Sequence, residues 1–197
     1  GHTQLIAVRG VGDYKRLGTT IDDAIGEAFD KVAKMLGLPY PGGPLVDKLA
    51  AEGDPLRFKF PISEMKDYDF SFSGIKTSVL YFLRDQKKID PDFAEKNMKD
   101  ICASVQYTII KTLMTKLRKA AQGLGIKEVG IAGGVSANSG LRKALKETGE
   151  QLGWNVYIPK FEYCTDNAAM IAITGYHKYL KGDFATIDAS PSARATW

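Results

Sequence analysis

The sequence predicts an α/β fold with a helical insertion, and three observations predict it. Strand-like and helix-like segments alternate in the back half of the chain. There an apolar run, Val129-Gly130-Ile131-Ala132, stops at Gly133-Gly134 and gives way to an amphipathic helix. The middle of the chain carries mostly helical periodicity. With 197 residues, the chain is one large domain or two small ones, long enough to bury a core.

Taken in order, residues 5–8 read as a strand, Gly10 and Gly12 as a turn, and residues 14–17 as the return strand. Residues 22–38 read as a helix, because Ile25, Phe29, Val32 and Leu36 recur at helical spacing and Gly37 stands where it would end. Residues 39–44, Pro-Tyr-Pro-Gly-Gly-Pro, have the chemistry of a rigid loop, with Pro44 suited to the first turn of a short helix over residues 45–52. A short strand is expected at 58–62, a loop at 69–74 and a helix at 75–86. Residues 93–122 contain a long helix with Ile101, Val105, Ile109, Leu113 and Leu117 on one stripe, ended by Gly123 and Gly125. A strand at 128–132, the glycine turn, a helix at 139–152, a strand at 156–158 and a helix at 167–180 complete the order, before an irregular tail from 189.

Composition narrows the function classes. The net charge is +4, and Lys87-Lys88, Lys116-Arg118-Lys119 and Arg142-Lys143 are short clusters that suit phosphates and solvated helix faces equally. Cys102 and Cys164 form no CxxC pair, as expected of free thiols in a reducing cytoplasm. His2 and His177 are the only histidines, too few for a structural zinc site. No apolar run is long enough for a membrane span, and with no basic-then-apolar stretch at the start no secretory signal is expected. The first residues already read as a strand, so the chain is expected to be a fragment of something longer.

Four stretches can carry chemistry. The glycine turn exposes backbone N–H groups beside a helix N-terminus, where anions and polar ligand edges are favoured. Asn138 adds an amide there, although a helix cap would use Ser136 or Asn138 in the same way. On the first helix Asp23, Glu27, Asp30 and Lys34 share a face. The plain reading is a solvated face with an Asp30–Lys34 pair, and the functional one is a carboxylate that accepts ligand hydroxyls. Pro41-Gly42-Gly43-Pro44 can bring bare backbone against a base or sugar, with Asp47 one turn further on, or be only a connecting loop. Asp166 stands at a helix start, where an N-cap is the plain reading and a metal ligand the alternative. A lone aspartate does not hold a metal, and neither histidine has the spacing to help it. No Ser-His-Asp arrangement is defensible.

Together, GHTQL, IDDAIGEAFDKVAKMLGLPYPGGP, DFSFSGIKT, AGGVSANSGLR and YCTDNAAMIA resemble the tRNA threonylcarbamoyladenosine transferase family, formerly called O-sialoglycoprotein endopeptidase or glycoprotease. Five motifs in order, from Gly1 nearly to the end, make the resemblance specific. It implies the actin-like ATPase fold of sugar kinases and heat-shock ATPases, here its back half (1–197), with a mostly helical subdomain at 20–125 and an α/β nucleotide-binding subdomain at 126–197. It implies transfer of a threonylcarbamoyl group from threonylcarbamoyl-AMP to N6 of adenosine 37 in tRNA. Gly1 would close a glycine-rich loop at the adenylate, Asp30 would hold ribose hydroxyls, and Gly43 would pack by the nucleoside with Asp47 close by. Asn138 would contact the nucleotide, and Asp166 would bind one divalent metal, iron(II) or zinc. A paralogous partner subunit and a small ATPase are the implied partners, in the cytoplasm. The motifs name no general base.

The family's HxxxH metal-binding pair, which precedes the GHT motif, does not occur in the sequence. The chain alone is therefore expected to bind metal poorly and not to catalyse transfer. Three rivals stand beside the transferase: a phosphotransferase of the same superfamily, the protease of the older label, and a non-catalytic scaffold paralogue. A protease needs a metal-bound water or a nucleophile, and neither is apparent. A degenerate scaffold has no need of Asp30, Asn138 and Asp166 together.

Overall fold

The computed structural model describes residues 2–191. It opens on an antiparallel hairpin of β1 (Gln4–Gly10) and β2 (Asp13–Thr19). A helical stretch follows: α1 (Ile25–Met35), α2 (Gly42–Ala50), α3 (Ser73–Lys87), the single turn α4 (Phe93–Lys96) and the long α5 (Met98–Leu124). Then come β3 (Glu128–Gly130), a 3-10 turn (Gly134–Ala137), α6 (Ser139–Leu152), β4 (Asn155–Tyr157), a second 3-10 turn (Phe161–Tyr163) and α7 (Ala168–Leu180). β3 and β4 pair in parallel through Glu128↔Asn155, Val129↔Val156 and Gly130↔Tyr157. α6 is the crossover between them, as parallel pairing requires.

The α5 stripe explains how the helices assemble. Ile101, Val105 and Ile109 are fully buried against Phe29 and Val32 of α1, Val46 of α2, Ile75 and Val79 of α3, and the stacked rings of Phe70 and Phe72. Burying each such side chain contributes about 1.5–3 kcal/mol. Further along α5, Met114 and Ala121 join Val129, Leu141 and Leu145 in a second cluster beneath β3, β4 and α6. At about 1.5 Å per residue, α5 extends about 40 Å and underlies both clusters.

Several expectations are corrected. Residues 58–62 form no strand. Phe58 and Phe60 instead pack their rings on Phe82, at 5.0 and 5.6 Å between centroids, so their apolar alternation serves side-chain packing and not a ladder. Gly42, Gly43 and Pro44 do not lie in a loop; they open α2, where the first-turn N–H that proline lacks has no intrahelical partner anyway. α1 starts at Ile25 and not at residue 22, because Thr3 Oγ1 accepts the Ile25 N–H at 3.0 Å and the side chains of Asp22 and Asp23 serve other partners. α7 buries none of its residues, and Lys181 just beyond it donates to the Val11 carbonyl at 2.6 Å. Among the described residues, no helix is long and apolar enough to cross a membrane.

Candidate functional site

At the end of β3 the chain takes a conformation open to glycine. Gly133 has φ +82°, and apart from chain neighbours no described atom lies within 4 Å of where a Cβ on Gly133 or Gly134 would stand. Ser136 is buried and serves the turn itself: its N–H and its hydroxyl both donate to the Gly133 carbonyl, at 2.9 and 2.6 Å. Asn138 then caps α6. Its Oδ1 accepts the Leu141 N–H at 2.8 Å, and its Nδ2 donates to Gln106 Oε1 of α5 at 2.7 Å, a buried amide pair. Asp47 reaches across from α2, accepting the Ser139 N–H through Oδ2 and the Ser139 hydroxyl through Oδ1, both at 2.8 Å. The positive end of the α6 dipole thus already has a carboxylate. Gly133 and Gly134 of the glycine turn are themselves exposed.

The same device recurs on neighbouring helices. Asp30 of α1 accepts the N–H groups of Gly42 and Gly43 at 2.8 and 3.1 Å through Oδ1, capping α2 from outside. The helices are so close here that a Cβ on Gly42 would stand 2.2 Å from Ala33 Cβ. Asp22 caps α3 through Phe72 N–H at 2.8 Å and the Ser71 and Ser73 hydroxyls at 2.6 and 2.7 Å. Burial pushes the Asp22 carboxyl up, but the bonds from Ser71, Phe72 and Ser73 outweigh it and hold it below the usual carboxylate range. The expected Asp30–Lys34 pair gives way to Lys31, which bridges Asp23 and Glu27.

Asp30, Gly43, Asp47 and Asn138 are therefore drawn together in one bonded frame. It runs from α1 to α2 through Asp30, from α2 to α6 through Asp47, and from α6 to α5 through Asn138. Gly26, one turn before Asp30, lies beside the glycine turn, where a Cβ would stand in ordinary contact, 3.6 Å, with Val135 Cγ2. Gly1 lies outside the described residues.

Asp166 is not in this frame. It is exposed, and the α7 cap is its neighbour Asn167, whose Oδ1 accepts the Met170 N–H at 3.0 Å. The segment leading to it is nonetheless tied to the glycine turn by Arg142 of α6. Its Nε donates to the Ser136 carbonyl at 2.6 Å, and its Nη2 to the Pro159 carbonyl at 2.8 Å and Cys164 Sγ at 3.2 Å. The guanidinium also lies 3.9 Å from the centre of the Phe161 ring. Among the described residues, no three His, Cys, Asp or Glu side chains gather where they could hold a metal ion. One exposed carboxylate does not fit a metal by itself.

Gln106 and Arg142 are the residues that sequence reasoning missed. Gln106 had a signal, a polar side chain directly after Val105 in an apolar stripe. Arg142 had none beyond a surface charge cluster.

These features define an α/β protein with an open glycine turn between a parallel strand and a capped helix. The fold is shared with solved HypF structures. HypF of T. kodakarensis has a TM-score of 0.58 and 19% identity, over 87% of this chain and 21% of that one. A full-length HypF in a phosphate- and nucleotide-bound form has the same score and identity, over 83% and 21%. The fold class is α/β, as the resemblance implied. The chain belongs to the TsaD family, tRNA N6-adenosine threonylcarbamoyltransferase, whose profile matches residues 1–173. Relatives of that name include those of Cytophaga hutchinsonii, 60% identical over 98% of this chain and 57% of the relative, and Porphyromonas gingivalis, 59% identical over 100% and 58%. The relative from Thermosipho africanus is 47% identical over 98% and 58%. The chain thus spans a little over half the length of these relatives.

Proposed function

We propose that the protein to which this chain belongs transfers the threonylcarbamoyl group of threonylcarbamoyl-AMP to N6 of adenosine 37 in tRNAs reading codons that begin with A. The supporting observation is the family membership of a chain that surrounds an open glycine turn with a frame of Asp30, Gly43, Asp47 and Asn138. The adenosine N6 attacks the carbamoyl carbon, the bond from that carbon to the phosphate oxygen breaks, AMP leaves, and N6 loses a proton. In this reading the N–H groups at Gly133 and Gly134 face the phosphate that becomes the leaving group, where preorganised donors favour developing negative charge. The second carboxylate oxygen of Asp30 accepts ribose hydroxyls, beside the Gly43 backbone. Asp47 and Asn138 hold the turn in place, and Asn138 meets the nucleotide from the capped end of α6.

Asp166 is in this reading one ligand of a divalent metal, iron or zinc, whose other ligands come from outside these residues. As a Lewis acid such a metal would polarise the carbonyl or orient the adenylate. The partners in the cytoplasm are tRNA, a paralogous subunit and a small ATPase subunit. Residues 20–125 act as a helical unit and residues 126–197 as the nucleotide-binding unit. The 197-residue chain by itself is not expected to catalyse transfer. The test is reconstitution of the full-length protein with its partners, tRNA, threonine, bicarbonate and ATP, followed by nucleoside analysis. Asp30→Asn is expected to lower the yield of modified adenosine at least tenfold. Unchanged yield would remove Asp30 from the site, and ATP-dependent phosphorylation of a small acceptor without tRNA modification would favour a phosphotransferase.

A further inference from the structure

Lined by residues of α6, β4 and the segment after β4 lies a groove of about 500 Å³ that none of the roles above uses. Its floor is apolar, Val156 and Ile158, and its rim carries Arg142, Lys146, Lys160 and Phe161. Three features give it a chemistry. Phe161 is 66% exposed, although a phenylalanine in the connection between strand β4 and helix α7 would ordinarily be covered. One face of its ring rests on the Arg142 guanidinium at 3.9 Å, which leaves the other face outward. Among the described residues Arg142 in turn donates to uncharged groups, the Ser136 and Pro159 carbonyls and the Cys164 sulfur, and no described carboxylate pairs with it. Lys146 is exposed, and the ion pair of Lys160 among the described residues is with the exposed Glu162, at 4.0 Å.

An outward aromatic face between cationic groups, over an apolar floor, is how sequence-tolerant sites hold unpaired nucleotides: the base stacks and the phosphates meet the cations. We infer that this groove seats an unpaired nucleotide of an RNA loop, with its base on the outer face of Phe161 and its flanking phosphates at Lys146 and Lys160. The inference rests on the transferase reading for its choice of RNA as the polyanion. The Arg142–Ser136 bond supports the position, because it ties the groove to the glycine turn and so places a strand seated there beside the proposed adenylate site.

The test is fluorescence-anisotropy titration of a labelled anticodon stem-loop RNA into the 197-residue chain, with Phe161→Ala, Phe161→Trp and the pair Lys146→Gln with Lys160→Gln. All three side chains are exposed, so the variants should keep the wild-type unfolding midpoint. Phe161→Ala should weaken binding roughly 5- to 150-fold, and Phe161→Trp should restore it. The lysine pair should flatten the slope of log K against log salt by about 1.4. AMP should bind all variants as it binds wild type. RNA binding unaffected by these changes, with AMP still bound, would overturn the groove and leave the transferase reading standing. Failure of wild type to bind either ligand would sink both. Loss of a partner subunit with RNA binding intact would mark the groove as a protein interface and overturn the inference.

Discussion

Replacing Asp47 with alanine should uncouple α2 from α6. The carboxylate accepts the Ser139 N–H and the Ser139 hydroxyl, both at 2.8 Å, from a residue 92 positions away. A lost N-cap costs about 1 kcal/mol, and a hydrogen bond to a charged acceptor about 1.5–3 kcal/mol. Asp47 is half-buried, so solvent takes back part of that loss, and Asn138 still caps Leu141. The expected destabilisation is about 2 kcal/mol for Asp47→Ala and about 1 kcal/mol for Asp47→Asn, which keeps one acceptor. Urea unfolding followed by circular dichroism reads this as a midpoint lower by about 1 M for Asp47→Ala, at a slope near 2 kcal/mol/M. A double-mutant cycle with Ser139→Ala should return a coupling of about 1 kcal/mol. A cost under about 0.5 kcal/mol, or no coupling to Ser139, would refute the frame.

Other consequences follow from the same geometry. The Asp22 carboxyl is held below its ordinary value of 3.8, so its contribution to stability is fully present above that pH and is lost as pH falls through the folded value. Urea midpoints measured from pH 6 to 2 should drop less steeply for Asp22→Asn than for wild type. Arg142→Met should free the segment around buried Cys164 and let iodoacetamide label it, while Cys102, buried in the core and pushed up to about 11, stays unlabelled; mass mapping of the native protein distinguishes this from global unfolding, which labels both. Gly42→Ala should cost about 1–3 kcal/mol, read by thermal melting, because the new Cβ would meet Ala33 Cβ at the closest approach of α1 and α2.

Local signals carried much of this structure into view. α6 runs over the residues its periodicity indicates, and the stripe of Ile101, Val105 and Ile109 is buried as its spacing requires. What escaped is long-range. Asp30 and Asp47 each cap a helix other than their own, Asp22 caps α3 from the segment before α1, and no local pattern announces which N-terminus a carboxylate will reach. The Pro-Gly-Gly-Pro stretch carries loop chemistry, yet a first helical turn tolerates the same residues because its N–H groups lack intrahelical partners. Phe58 and Phe60 alternate as a strand would, but their rings find Phe82 first. The glycine turn was legible because Gly133 adopts a positive φ that suits glycine. The signal at Gln106 was weak, because a polar residue beside an apolar stripe reads as solvent-facing until its partner, Asn138, is seen.

The central claim is that the bare face of the glycine turn seats the adenylate. Gly134→Val tests it most directly, because apart from its own turn no described atom lies within 4 Å of the new Cβ and Gly134 is not among the positive-φ glycines, so the substitution should fill the ligand face without disturbing the fold. The measurement is calorimetric titration of a non-hydrolysable threonylcarbamoyl-adenylate analogue, and of AMP, into wild type and Gly134→Val. Saturable binding to wild type that disappears in the variant at an unchanged unfolding midpoint is the predicted result. Equal binding by both would contradict the claim and place the ligand elsewhere.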